Sequence, residues 1–236
     1  IDEGSREVQL PHETGVSLTT RDHESEYKRV TMSDLMTEAN YLNPDVEVIA
    51  EINTPASFET FAESLNTGHG IIGTTHAEDV ETLVNRVVEQ GLPPYLMQEL
   101  DLVVFPRYVD GERYVGRVVE LLSEREFRDL DRSGDVCGTI CKDGTTVYWN
   151  RVAERDHDGT FQFAYDHPQL GDDERDCRTR VFHGLAEWTD QPLEAAAADF
   201  HRKPRYVAYP EREGVADFET LFGLLAGRHG ALDVEV

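Results

Sequence analysis

Apolar positions recur along this chain with two periods, and their alternation predicts a mixed α/β fold. Met32, Leu35, Met36, Ala39 and Leu42 repeat at helical spacing and predict a helix over 31–41. Residues 46–52 follow as a short, mostly apolar run, the pattern of a buried strand in a parallel sheet. Thr54-Pro55 then reads as an N-cap with proline at the first helical position. Phe58, Phe61, Ala62 and Leu65 place one face of that helix on the sheet. Ile71 and Ile72 predict a second inner strand, which ends in Thr74, Thr75 and His76. Val80, Leu83, Val84, Val87 and Val88 mark a third helix, with Glu78 and Asp79 in its first turn, stopped by Gly91 and Pro93-Pro94.

Beyond this point the period changes. Residues 100–105 and 113–121 read as two strands joined around Asp110-Gly111, a hairpin signal. Residues 122–144 are charged and glycine-bearing, so a boundary is expected between 121 and 122. Further strands are expected over 145–149 and 160–165, and helices over 193–200 and 218–225. The expected organisation is an α/β core over 1–121 and a smaller α+β module over 122–236.

The core pattern carries candidate chemistry. Glu51 and His76 each end an inner strand, and two neighbouring strand ends bring a carboxylate and an imidazole to the edge where α/β sheets bind ligands. Composition narrows the classes. Asp+Glu 47 against Lys+Arg 22 gives a formal net charge of −25, which argues against non-specific nucleic-acid binding. The acidic residues are spread along the chain, and periodicity continues nearly to its end, so disorder does not account for them. Adaptation to a concentrated-salt cytoplasm does. No run of about twenty apolar residues occurs, so no membrane span is expected. Cys137, Cys141 and Cys177 are too few for a disulfide framework and suit a reducing cytoplasm. A zinc site with His157, His167 and His183 lacks a recognised ligand spacing, and packed thiols are the plainer reading.

The order of motifs resembles the secretion-superfamily ATPases, the hexameric motors of type II and type IV secretion, archaeal pili and archaella. Pro44-Asp45 through Glu51-Ile52 is similar to their Walker B strand, and Thr67-Gly68-His69 with Thr75-His76-Ala77 to their histidine box. Ile1-Asp2-Glu3 resembles their Asp box, and Leu10-Pro11-His12 continues the archaeal-type pattern. The resemblance implies the C-terminal part of a RecA-like P-loop ATPase core, using ATP and Mg²⁺. It implies Glu51 as the group that positions the attacking water, with His69 and His76 sensing the nucleotide. It implies that Asp2 and Glu3 face the nucleotide and hold Mg²⁺, directly or through water, or orient the attacking water; a solvated acidic turn is the alternative. Arg21, ending a polar stretch over 16–20, reaches a phosphate across a subunit boundary, or is a surface arginine. The implied partners are a ring of six copies and a polytopic membrane platform protein, with the motor cytoplasmic and peripheral at the inner face of the membrane. Haloarchaeal origin fits the charge.

Two departures stand against activity. No Gly-x-x-x-x-Gly-Lys-Ser/Thr loop occurs, so no phosphate cradle is present in these residues. Asn43 and Asn53 occupy places where the family commonly has arginine. The chain begins at Ile1, in what reads as a strand, so an upstream part with the Walker A loop is expected. The alternative is a non-catalytic, degenerate scaffold paralogue in such a machine.

Overall fold

The computed structural model describes residues 1–2, 8–10, 14–130, 136–165, 179–215 and 217–225. Described residues up to Ala164 form one compact unit, and those from Tyr165 onward a second. The boundary expected between 121 and 122 falls inside continuous structure, because the strand that contains Leu121 is paired on both sides.

In the first unit, helix α1 (Met32–Tyr41) starts at a capping box: Thr31 Oγ1 accepts from Asp34 N–H and Asp34 Oδ2 accepts from Thr31 N–H. Met32, Leu35, Met36 and Ala39 are its buried face. Strand β1 (Val46–Ile49), helix α2 (Pro55–Ser64, N-cap Thr54) and strand β2 (Gly70–Gly73) follow. The two strands pair in parallel, from Val46 opposite Gly70 to Ile49 opposite Gly73. The ladder is shorter than the expected 46–52, but Ile52 N–H still donates to the Thr74 carbonyl at 2.8 Å. Ser57, Thr60 and Ser64 form a buried hydroxyl stripe on α2. These small side chains let α1 approach, and Ser33–Thr60 (2.6 Å) and Asn40–Ser64 (3.0 Å) hydrogen bonds offset their burial.

Helix α3 (Val80–Glu89) buries Val80, Leu83, Val84 and Val87 and is capped by Asp79. A 3-10 helix, Pro94–Glu99, continues where the proline pair reads as a plain stop. Then come β3 (Leu102–Val109), β4 (Glu112–Leu122), helix α4 (Glu124–Asp129), β5 (Cys137–Lys142), β6 (Thr145–Arg155) and β7 (Phe161–Phe163). The sheet order is β3-β4-β6-β5, all antiparallel, with β7 also on β6. Asp110 (φ 52°) and Gly111 (φ 89°) make the expected two-residue turn, whose positive φ at both positions matches the strand twist. β5 and α4 occupy the charged, glycine-bearing stretch where the boundary was expected. Buried Phe105, Val119 and Val147 join Met36, Ile49, Val84 and Met97 in one core.

The second unit is helical: α5 (Val181–Thr189), α6 (Leu193–Arg212) and α7 (Phe218–Leu225). Tyr165, Phe182 and Phe200 meet edge to face at 5.1–5.7 Å between ring centroids. α5 has no sequence-level counterpart above, and α6 runs twelve residues past the expected end at Phe200, through Pro204 and Pro210. The chain is therefore mixed α/β, with its parallel strands confined to the first unit. Among the described residues no helix is long and apolar enough to cross a membrane.

Candidate active site

Four backbone segments run in parallel to one edge of the first unit. Asp2 pairs with Thr19: its N–H donates to Leu18 O at 2.9 Å, and Thr20 N–H donates to Asp2 O at 3.0 Å. On the other side, Ala50 N–H donates to Ile1 O at 2.9 Å, and β1 then pairs with β2. Parallel strands end at the same edge, so Asp2, Arg21, Glu51 and the Thr74–His76 segment arrive together where open α/β sheets place ligands.

Glu51 and His76 meet there, with His76 Nε2 2.6 Å from Glu51 Oε1. The carboxylate is 34% exposed and the imidazole 76%, so the pair is open to a ligand. Two threonines hold these strand ends together. Thr74 Oγ1 donates to Ala50 O, and Thr75 Oγ1 donates to Ile52 O at 2.9 Å. From sequence they are only a polar strand end; β2, expected as an inner strand, pairs with β1 alone among the described residues and leaves Ile72 60% exposed.

The other expected site residues are placed less evenly. Asp2 is buried, and its Oδ2 accepts from Val8 N–H at 2.8 Å. Glu3 lies outside the described residues. Arg21 is exposed, but its Nε donates to Lys28 O at 2.6 Å, so its side chain lies on its own loop. His69 stands at the opposite edge. It precedes β2 while His76 follows it, and seven residues at a strand's rise of about 3.3 Å separate the two by roughly 23 Å. There His69 accepts or donates at 2.6 Å with Thr67 Oγ1 and sits 3.4 Å from Glu47 Oε2. Glu47 is buried. Burial pushes its carboxyl above the ordinary range, opposed by the hydrogen bond and charge of His69. The structure thus brings His76, and not His69, to Glu51.

Both asparagines have structural employment. Asn43 adopts φ 48° immediately after α1, a left-handed residue ending a helix, which asparagine tolerates better than most side chains. Asn53 Oδ1 accepts from Arg86 Nη2 on α3 at 3.1 Å. Arg86 thus reaches the segment two residues beyond Glu51, a contact that no spacing in the sequence indicates.

No three His, Cys, Asp or Glu side chains gather as a metal site among the described residues. Cys137 is buried and Cys141 exposed, both as free thiols; Cys177 and His167 lie outside the described residues. The edge carboxylates do suit Mg²⁺ in its usual form, held by one or two carboxylates together with substrate phosphates and water.

The sequence profile of the Type II/IV secretion system protein family matches residues 2–145, a span that holds the Asp2, Glu51 and His76 strand ends. Uncharacterized protein MJ0900 of Methanocaldococcus jannaschii is 29% identical over 133 residues, 55% of this chain and 24% of that protein. The chain therefore spans about a quarter of the length of this relative. With most of its length inside the matched profile and the strand ends in the expected order, the chain belongs to the type II/IV secretion system protein family, the ATPases of secretion and pilus assembly.

Proposed function

We propose that this chain is the C-terminal part of a subunit in a hexameric ATPase motor that drives pilus or archaellum assembly or protein secretion. The observation that carries this reading is the Glu51–His76 pair at the carboxyl edge of parallel strands. Family members generally use ATP and Mg²⁺; Mg²⁺, when bound, neutralises charge on the phosphates. Asp2 and Glu3 are the residues that would hold it. Glu51 accepts a proton from, and orients, the attacking water. His76 holds that carboxylate and is placed to report whether the terminal phosphate is present. Arg21 serves a neighbouring subunit's phosphate once its loop turns outward. The motor works at the cytoplasmic face, against a polytopic membrane platform protein.

The scaffold reading rests on the missing phosphate-cradling loop within these residues. It rests also on Asn43 and Asn53 in places where the family commonly has arginine, although Asn43 ends α1 with φ 48° and Asn53 accepts from Arg86. Full-length protein with Glu51→Gln separates the two readings. Nucleotide binding is expected to persist while hydrolysis falls roughly 10²–10⁴-fold, the scale for removing a general base. A wild type without ATPase activity, or a variant as active as wild type, establishes the scaffold reading instead.

A further inference from the structure

Arg86 is half-buried on α3, and its one hydrogen bond among the described residues goes from Nη2 to the neutral amide oxygen of Asn53. Its Nε is buried without a partner. No carboxylate forms an ion pair with it among the described residues, although the chain carries 47 acidic residues. A guanidinium has five donors and does not lose its proton, and desolvated charges are ordinarily paired with an opposite charge. Two other partly buried arginines of this chain follow that rule. Arg117 and Arg151 both close on the Glu154 carboxylate. Arg86 instead meets a neutral amide, that of Asn53, which lies two residues beyond Glu51 on the segment that ends at the ligand edge.

The surroundings fix its place. Leu83, Val84 and Val87 of the same helix are buried, so α3 cannot turn to expose or withdraw the guanidinium. Asn53 accepts without neutralising, where aspartate at that position would quench the charge. Glu51 and Asp2 supply negative charge at the edge, and a phosphoryl group arriving there needs a cation of comparable placement.

We propose that Arg86, oriented by Asn53, is the cation of this edge and binds a phosphoryl group of the ligand. This rests on the nucleotide reading given above. In this chain the positive charge comes from α3, while position 53 holds a neutral orienting amide.

The test uses full-length protein, with Mg·ATP and inorganic pyrophosphate as separate calorimetric probes, and thermal unfolding as the fold control. Arg86→Gln is expected to weaken binding of both probes roughly 10- to 100-fold, the scale of a charged hydrogen bond. Arg86→Lys retains most of the affinity. Asn53→Asp is the decisive variant: it keeps Arg86 and gives it a partner, so binding weakens about tenfold or more while the unfolding midpoint holds or rises. If Arg86 merely braces α3, Arg86→Gln lowers the midpoint and both variants bind as wild type does, which overturns the proposal and leaves the nucleotide reading intact. Arg86-dependent binding of pyrophosphate without binding of Mg·ATP supports the anion role and removes the nucleotide reading. Wild type that binds neither probe overturns both.

Discussion

Glu47 and Glu51 lie four residues apart on one extended segment, roughly 13 Å at a strand's rise, and each has a histidine beside it. Their surroundings assign them opposite tasks. Glu51 is partly solvated and open, whereas Glu47 is buried with one oxygen, Oε1, unpartnered. Burial raises the Glu47 pKa, so its folded state favours the protonated form. The consequence for stability has a definite sign: relative to a neutral side chain, Glu47 costs nothing below the unfolded-state pKa of about 4.3, and the penalty grows as pH rises toward its folded-state pKa. Glu47→Gln should therefore raise the unfolding midpoint near pH 7 and leave it unchanged near pH 4. A lower midpoint at pH 7 would mean that the His69–Glu47 contact outweighs desolvation. The same variant separates the two histidines, since it should not disturb His76, which lies beside Glu51 at the far edge.

At the scale of elements, α3 links the two contacts: it begins four residues after His76 and presents Arg86 to Asn53. Its start depends on Asp79, whose Oδ1 accepts from Thr82 N–H at 2.8 Å. That backbone hydrogen bond holds the Asp79 carboxyl below its ordinary range. The cap's contribution is thus present above the unfolded-state pKa and is lost as pH falls through the folded-state one. Asp79→Ala should cost about 1 kcal/mol, or roughly 2–4 °C in the midpoint at neutral pH, and Asp79→Asn should recover most of it. A variant that melts with wild type at neutral pH would remove the cap from the account. Helices α1 to α3 and strands β1 and β2 were legible because each has one apolar face and clear end signals, Thr31, Thr54-Pro55 and Gly91 among them. β5 and α4 were not, because Cys137–Lys142 alternates only weakly and the short α4 buries no residue. α6 defeats the rule that proline ends a helix, since it passes through Pro204 and Pro210. The site divides in the same way. Glu51 and His76 were legible as strand ends, but the Arg86–Asn53 bond joins residues 33 apart in sequence and depends on how α3 packs.

Across the whole molecule, charge balance decides how stability should respond to salt. A net charge of −25 on 236 residues makes the folded state repel itself at low ionic strength. Glu26, Asp34 and Glu38 line a groove of about 580 Å³ with Arg29 as the basic residue among them. Attractive surface pairs among the described residues, such as Arg125–Asp129 and Arg128–Glu124 on α4, are exposed. Pairs of that kind contribute about 0–1 kcal/mol each, so screening them loses little. Screening repulsion among 47 acidic side chains gains more, because the Debye length falls from about 10 Å at 0.1 M to about 3 Å at 1 M. The unfolding midpoint should therefore climb steeply between 0.1 and 2 M KCl, as adaptation to a concentrated-salt cytoplasm requires. Salt also strengthens apolar burial in every protein, so the slope alone does not isolate charge. Replacing exposed Glu59 and Glu63 on α2 by Gln separates the two effects. If repulsion dominates, the double variant is more stable than wild type at 0.1 M KCl, and the difference closes at 2 M. Equal midpoints for wild type at both salt concentrations would end the salt-adaptation reading, and a parallel shift of the variant at all concentrations would assign the slope to burial instead of charge.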